Sequence, residues 1–183
     1  MIAFSYQNRK VTKKTAIIHY LCSVMTKIAK TNAARLLDRA AVPYELIPYT
    51  VDPDDLSATH LAAELGEDVR RVFKTLVLQG DDRSHFVAVV PGDAEVDLKK
   101  AARAAGVKKA DLIPMKELLP LTGYIRGGCT SIGMKKQFPT FFHSTVNDFD
   151  TIFVSAGQRG LQLKIAPADL VGFVGGSVTD LIK

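Results

Sequence analysis

This 183-residue chain has little cysteine and no long apolar run. Its two cysteines, Cys22 and Cys129, are too few for the disulfide framework of a small secreted protein, so we expect a reducing, cytoplasmic environment. No apolar stretch approaches the roughly 20 residues that cross a bilayer, and we expect no membrane partner. Internal repeats and low-complexity tracts are absent as well. The hydrophobic content of 47% is that of an ordinary globular domain.

Acidic residues are missing from the first 30 positions, which carry six lysines and arginines. The net charge of +5 comes from this end, because the other 153 residues hold 18 basic and 19 acidic side chains. A contact with nucleic acid must therefore depend on local basic clusters rather than on the overall charge. Four clusters occur in the sequence: Arg70 with Arg71, Lys99 with Lys100 and Arg103, Lys108 with Lys109, and Lys135 with Lys136.

Residues 1–24 form a basic segment with a short apolar end that superficially resembles a signal peptide. His19 and Tyr20 interrupt the apolar part, and no small-residue cleavage site follows. We predict that Met25 is the true start and that residues 1–24 are upstream sequence or a tail; the alternative is a folded N-terminal element. Residues 25–183 are predicted to form one domain, since no internal boundary interrupts them.

Apolar periodicity and turn residues predict alternating helices and strands. Thr31, Ser57 and Asp97 are predicted to begin helices, and Gly66 and Gly106 to end them. The predicted helices cover residues 31–41, 57–66, 97–106 and 114–119, with a last one from Pro167. The predicted strands cover residues 44–49, 73–79, 85–90, 138–142, 151–155 and 162–165. Because hairpins occur among helix-separated strands, the fold class is α/β with a mixed sheet.

Residues 123–133 contain four glycines and Arg126. Glycine costs conformational entropy, so such a density indicates either positive φ angles or close approach by a ligand. Successive backbone N–H groups in a loop of this kind can bind an anion or a developing oxyanion. A bulged turn between strands is the alternative interpretation.

Lys74 lies on the apolar face of a predicted strand, together with Val72, Leu76 and Leu78. A lysine there must find an anionic or carbonyl partner, lower its pKa, or reach solvent. We predict that it faces a pocket within reach of the loop at Gly127. The alternative is that Lys74 lies at the end of the strand and extends outward into water.

Other residues with reactive groups lack the neighbours that catalysis would need. Cys129 has no histidine nearby in sequence, so a buried space-filling role is favoured over a nucleophile. The histidines do not have metal-ligand spacing, and no Ser-His-Asp arrangement is evident. Ser155 fits a structural hydroxyl and a substrate contact equally well. Residues 157–160 match a GxxG pattern, but they join two strands and so are not the RNA-binding loop of a KH domain.

Taken together, the segments resemble the YbaK/EbsC family of aminoacyl-tRNA deacylases over about residues 28–183. Six motifs carry the resemblance in the same order: TNAARLL at 31–37, FKTL at 73–76, LKK at 98–100, TGYIRGG at 122–128, GMKK at 133–136 and VSAGQRGL at 154–161. The resemblance implies a barrel-like mixed sheet flanked by helices, related to the editing domain of bacterial prolyl-tRNA synthetases.

The resemblance also implies an activity, the removal of mischarged cysteine from tRNA(Pro). Cysteine is small enough to enter a proline pocket, and a hydrophobic site rejects a similar-sized competitor only weakly, so a second site must edit. Family members are thought to let the cysteine thiol attack its own ester carbonyl, which requires neither a metal nor an organic cofactor. The implied partners are the 3′ acceptor end of aminoacyl-tRNA and, as a further contact, prolyl-tRNA synthetase.

By the resemblance, two residues act directly on the ester: Lys74 holds and polarises the aminoacyl end, and Gly127 adds a backbone contact. The implied substrate-binding residues are Tyr49, Thr75, Arg126, Gly128, Ser155 and Gln162. Two segments depart from the family pattern, Thr130-Ser131 in the loop and Leu56-Ser57 beside the pocket. Removal of another small amino acid such as alanine therefore stays open, as do a non-catalytic module that binds tRNA or a synthetase and a small-molecule-binding regulator.

Overall fold

A computed structural model describes residues 28–183, so the predictions about residues 1–24 and Met25 lie outside the described part. Within it, the chain forms five α-helices and eight β-strands. The helices are α1 (Asn32–Arg39), α2 (Ala58–Leu65), α3 (Leu98–Ala105), α4 (Met115–Thr122) and α5 (Pro167–Val174). The strands are β1 (Glu45–Pro48), β2 (Phe73–Gly80), β3 (His85–Pro91), β4 (Ala110–Leu112), β5 (Thr140–His143), β6 (Ile152–Ser155), β7 (Leu161–Ile165) and β8 (Ser177–Thr179). None of the helices in residues 28–183 has the length and apolar character to cross a membrane.

The strands form two sheets. One has five strands in the order β4-β2-β3-β5-β8, with β2 antiparallel to β3 and β4, and β5 parallel to β3 and β8. The other is antiparallel, in the order β1-β7-β6. A parallel bridge between Val72 and Phe153 connects them. The predicted mixed α/β fold is confirmed, although the strands of residues 28–183 are divided between two sheets rather than curled into one barrel.

Side-chain alternation along β2 and β3 explains how the core is built. Phe73 and Val77 of β2 belong to a buried cluster that also contains residues of β6 and β7. Leu78 belongs to a second cluster, which includes Ala101 and Ala102 of α3. Because successive residues of a strand point to opposite faces, one strand supplies both clusters. Lys74 shares the face of Leu76 and Leu78, as predicted from the sequence.

The predicted helix boundaries are confirmed where capping chemistry sets them. Thr31 Oγ1 accepts a hydrogen bond from Ala34 N (3.2 Å), and Ser57 Oγ accepts one from His60 N (3.2 Å). Asp97 Oδ1 accepts from the amides of the first turn of α3. Gly66 and Gly106 end α2 and α3 with φ of 66° and 73°, in the left-handed region that glycine tolerates best.

Two local boundaries were predicted wrongly, and two strands were missed. The helix predicted to end at residue 119 continues through Pro120 to Thr122, where Gly123 ends it. The strand predicted from residue 138 begins at Thr140. The short edge strands β4 and β8 were not predicted, because three residues are too few for an alternation pattern and their pairing depends on β2 and β5.

Candidate functional site

A cavity of about 600 Å³ lies where the first half of β2, the glycine-rich loop and the ends of β1, β6 and β7 meet. The first turn of α2 and the β4–α4 segment complete its wall. Of the eight site residues predicted from the sequence, seven line this cavity: Tyr49, Lys74, Thr75, Arg126, Gly127, Ser155 and Gln162. Residues more than 110 positions apart are thus brought to one concave surface.

The three-stranded sheet brings three of these side chains together. Ser155, the last residue of β6, lies opposite Gln162 of β7. On the other side of β7, Pro48 lies opposite Leu161, and the next residue, Tyr49, donates its backbone N–H to Gly160 O (3.1 Å). One end of this sheet, where β1 and β6 finish and β7 begins, therefore forms one wall of the cavity.

Lys74 also lines the cavity, and its side chain is half-buried. Its Nζ donates to Gly92 O (3.0 Å) and Ala94 O (2.7 Å). Burial lowers the pKa of Lys74, while the nearby charges of Asp93 and Glu95 act in the opposite direction. An ammonium has three N–H donors, so one remains after these two bonds for a ligand in the cavity.

The predicted carbonyl partner of Lys74 exists, but it lies on the segment after β3 and not on the glycine-rich loop. Lys74 pairs with Val90 in the β2–β3 register, so the chain that continues past Pro91 passes beside the lysine side chain. Gly92 N donates to Val72 O (2.7 Å), which fixes that segment. A Cβ at Gly92 would clash with the Cβ of Ala58 in α2. Glycine is required there, and a glycine directly after a strand is the feature that could have revealed this segment.

The glycine-rich loop is fastened to the β6–β7 turn. Gly127 has φ of +80°, and Arg159 Nε donates to Arg126 O (2.9 Å). Gly128 does not line the cavity: a Cβ there would lie 3.1 Å from Gln158 Cα. The close packing of two backbones is thus a reason for glycine at position 128 that needs no ligand, and its predicted substrate contact stays a prediction.

Cys129 also lines the cavity, and its side chain is buried (8% exposed). Burial raises the pKa of this thiol to about 12. The group therefore stays protonated at neutral pH and lacks the electropositive setting that activates nucleophilic cysteines. The predicted burial of Cys129 is confirmed.

Gln162 is 3% exposed, and its Oε1 is buried without a hydrogen-bond partner among the described residues. An unpaired buried acceptor costs free energy in the unliganded protein, so it needs a specific reason. By contrast, the Ser155 hydroxyl accepts a bond from Gly157 N (3.2 Å) and retains its own O–H as a donor.

Several lining residues were not predicted. They come from the loop before α2, the segment after β3, and the β4–α4 region, where Leu112 and Met115 are 52% and 58% exposed. Positive charge on the cavity wall comes from Lys74 and Arg126, and the four basic sequence clusters lie elsewhere in residues 28–183. No group of three metal-ligating side chains occurs in that range.

The sequence model of a family described as "Aminoacyl-tRNA editing domain" matches residues 52–173. A protein of Enterococcus faecalis named "Putative Cys-tRNA(Pro)/Cys-tRNA(Cys) deacylase EbsC" is 44% identical over 152 residues, which cover 83% of this chain and 93% of that protein. A proline–tRNA ligase of Cupriavidus necator is 26% identical over 154 residues, 81% of this chain but 26% of the ligase.

The fold is similar to that of a solved structure described as "a putative trans-editing enzyme for prolyl tRNA synthetase". The TM-score is 0.73 at 21% sequence identity, covering 85% of this chain and 99% of the other. At this identity the likeness establishes the shared fold.

Proposed function

The chain belongs to the aminoacyl-tRNA editing domain family, and from this premise we propose that it removes mischarged cysteine from tRNA(Pro) in trans. The substrate is an aminoacyl-tRNA. Its 3′ end enters the cavity between Lys74 and the end of the three-stranded sheet β1-β7-β6. The observation that carries the proposal is the half-buried Lys74 ammonium, which has an N–H left over after its two carbonyl bonds and lines the same cavity as Gly127, a cavity large enough for a small aminoacyl group.

The reaction needs little from the protein beyond orientation and charge stabilisation. The substrate thiol attacks its own ester carbonyl, so that a C–S bond forms and the C–O bond to the ribose breaks. The thiol proton ends on the ribose oxygen, and water opens the resulting thiolactone. An intramolecular attack of this kind gains its rate from restricted geometry, which the cavity walls supply.

Lys74 stabilises the charge that develops on the carbonyl oxygen during this attack. Its two bonds to Gly92 O and Ala94 O fix the ammonium before the substrate binds, so little reorganisation is needed during the reaction. Partial burial strengthens the electrostatic interaction by lowering the local dielectric. Gly127 offers its backbone to the same substrate, because it is exposed and lines the same cavity.

A deacylation assay tests the proposal. Purified protein is incubated with tRNA(Pro) charged separately with cysteine, alanine or proline, and release of labelled amino acid is measured. We expect rapid loss of cysteine and little loss of proline. Preferential release of alanine would identify a related deacylase, whereas binding without accelerated release would identify a non-catalytic module. Absence of tRNA binding would favour a small-molecule-binding regulator.

Replacing Cys129 with alanine should leave most of the deacylase activity. The substrate supplies the reacting thiol, and the buried Cys129 thiol stays protonated, with a pKa of about 12. The measurement is kcat/KM on cysteinyl-tRNA(Pro), with circular dichroism to confirm folding. A loss of about a thousandfold, equivalent to roughly 4 kcal/mol at the barrier, would show that the enzyme thiol is the nucleophile.

We further propose that the protein works in the cytoplasm, where aminoacyl-tRNA is made, and that it meets its substrate close to prolyl-tRNA synthetase. The similarity to one quarter of a proline–tRNA ligase supports the second point, because a stretch related to this chain is part of a protein of that name. Co-sedimentation of the protein with prolyl-tRNA synthetase, with and without tRNA(Pro), tests this association.

A further inference from the structure

The carbonyl oxygen of Gln162 is buried without a hydrogen-bond partner in residues 28–183, and the mechanism above gives it no role. The side chain lies on β7 opposite Ser155, is 3% exposed, and its Oε1 has no partner in residues 28–183. Ser155, its cross-strand neighbour, already accepts a bond from Gly157 N. The strand pairing therefore holds Gln162 at the wall of the cavity without satisfying its acceptor.

We propose that Gln162 Oε1 accepts a hydrogen bond from the α-amino group of the aminoacyl ester and so fixes the rotation of the aminoacyl group. This inference rests on the proposed deacylase function and adds the group that orients the nucleophile. Gln162 on β7 then holds the amino group, and Lys74 on β2 holds the ester carbonyl. The cysteine side chain of the substrate, which carries the thiol, is thereby oriented toward the carbonyl carbon.

The chemistry of the substrate supports this assignment. A carbonyl oxygen can bind only a donor, which excludes the ester carbonyl of the substrate. The thiol is a weak donor and must give up its proton during attack. The amino group carries N–H donors whether protonated or neutral, and it is bonded to the carbon next to the reacting carbonyl. Because the Gln162 amide is neutral, it does not offset the positive charge with which Lys74 acts on the ester carbonyl.

Carboxylates on the same cavity are weaker candidates. Asp52 Oδ1 accepts from Asp54 N (2.9 Å) and Asp55 Oδ1 from Ser57 N (2.8 Å), so both carboxylates shape the loop before α2. Asp93 is exposed and lies between Gly92 and Ala94, the two residues whose carbonyls bind Lys74. Water solvates such groups and weakens their attraction for an ammonium, whereas a ligand of the buried Gln162 oxygen competes with little water.

The test combines a variant with a substrate analogue. Gln162→Met keeps the length of the side chain and removes the acceptor, and tRNA(Pro) esterified with 3-mercaptopropionate keeps the thiol and lacks the amino group. We expect Gln162→Met to lower kcat/KM on cysteinyl-tRNA(Pro) about tenfold or more, as for a lost hydrogen bond to a charged group. On 3-mercaptopropionyl-tRNA(Pro) the variant and the wild type should agree within about twofold.

Stability provides an independent readout. Gln162→Met should be at least as resistant to urea as the wild type, because the variant removes a buried acceptor that is unpaired in the free protein. The matched control is Gln137→Met, at an exposed glutamine outside the cavity lining, which should change neither stability nor the response to either substrate.

Two outcomes would overturn the inference. An equal loss on both substrates would mean that Gln162 does not bind the amino group. If Gln162→Met lowers kcat/KM on both substrates but has no effect when the tRNA ends in 2′-deoxyadenosine, the Gln162 oxygen binds the ribose hydroxyl instead. Both outcomes are separable from failure of the proposed function, in which the wild type would cleave neither substrate.

Discussion

Replacing Lys74 with alanine should lower the rate of cysteinyl-tRNA(Pro) deacylation at least tenfold, equivalent to about 1.4 kcal/mol at the barrier. The ammonium is held by two backbone carbonyls and has one N–H left for the ester carbonyl, which accepts it most strongly in the transition state. Single-turnover deacylation separates this effect on chemistry from an effect on tRNA binding.

Two further variants test whether the loss is specific to an ammonium group at position 74. Lys74→Arg should recover only part of the activity, because a planar guanidinium cannot keep both the Gly92 and Ala94 bonds and the position of the charge. Lys164 is the matched control: its Nζ lies 3.8 Å from Glu45 Oε2, and it belongs neither to the cavity lining nor to the four basic clusters. Lys164→Ala should keep full activity, and a Lys74→Ala variant that does the same would contradict the role given to Lys74.

Seryl-tRNA(Pro) should be cleaved at least about a hundredfold more slowly than cysteinyl-tRNA(Pro) in the same assay. The two side chains are similar in size, but a thiol is a few per cent thiolate at neutral pH, whereas an alcohol is almost entirely protonated. If the substrate supplies the nucleophile, this difference appears directly in the rate of the chemical step.

Binding must be measured beside the rate to interpret that comparison. The affinity for the two aminoacyl-tRNAs should agree within about threefold, since the serine and cysteine side chains are similar in size and a pocket distinguishes near-isosteric groups only weakly. Equal cleavage rates would show that water attacks the ester directly. In that case Lys74 and Gly127 would retain a role in stabilising the carbonyl oxygen, and the substrate-assisted step would be wrong.

Local chemistry made much of this fold predictable. Thr31, Ser57 and Asp97 begin helices because their side chains accept hydrogen bonds from first-turn amides. Glycines end the helices where the backbone enters the left-handed region. The division into two sheets was not predictable in this way, because it depends on which strands meet in space, as at the bridge between Val72 and Phe153.

The site shows the same limit at the level of single residues. Alternation along β2 indicated that Lys74 lies on an apolar face and needs a carbonyl or anionic partner. The identity of that partner follows from the path of the chain after β3, which Gly92 marks in the sequence without specifying its direction. Gly128 was assigned to the substrate from its motif, yet its close packing on Gln158 explains the glycine without a ligand. Likewise, the missing partner of Gln162 is visible only once the cavity is assembled.

The central claim is that the aminoacyl end of tRNA binds in the cavity between Lys74 and Gln162. The most direct test is a crystal structure with an amide-linked cysteinyl analogue of the 3′-terminal adenosine, which resists cleavage. We expect the cysteinyl carbonyl oxygen within hydrogen-bond distance of Lys74 Nζ and the aminoacyl group in contact with Gly127. An analogue bound elsewhere, for example in the separate cleft beside Arg70 and Thr145, with the Lys74 cavity empty, would contradict the account.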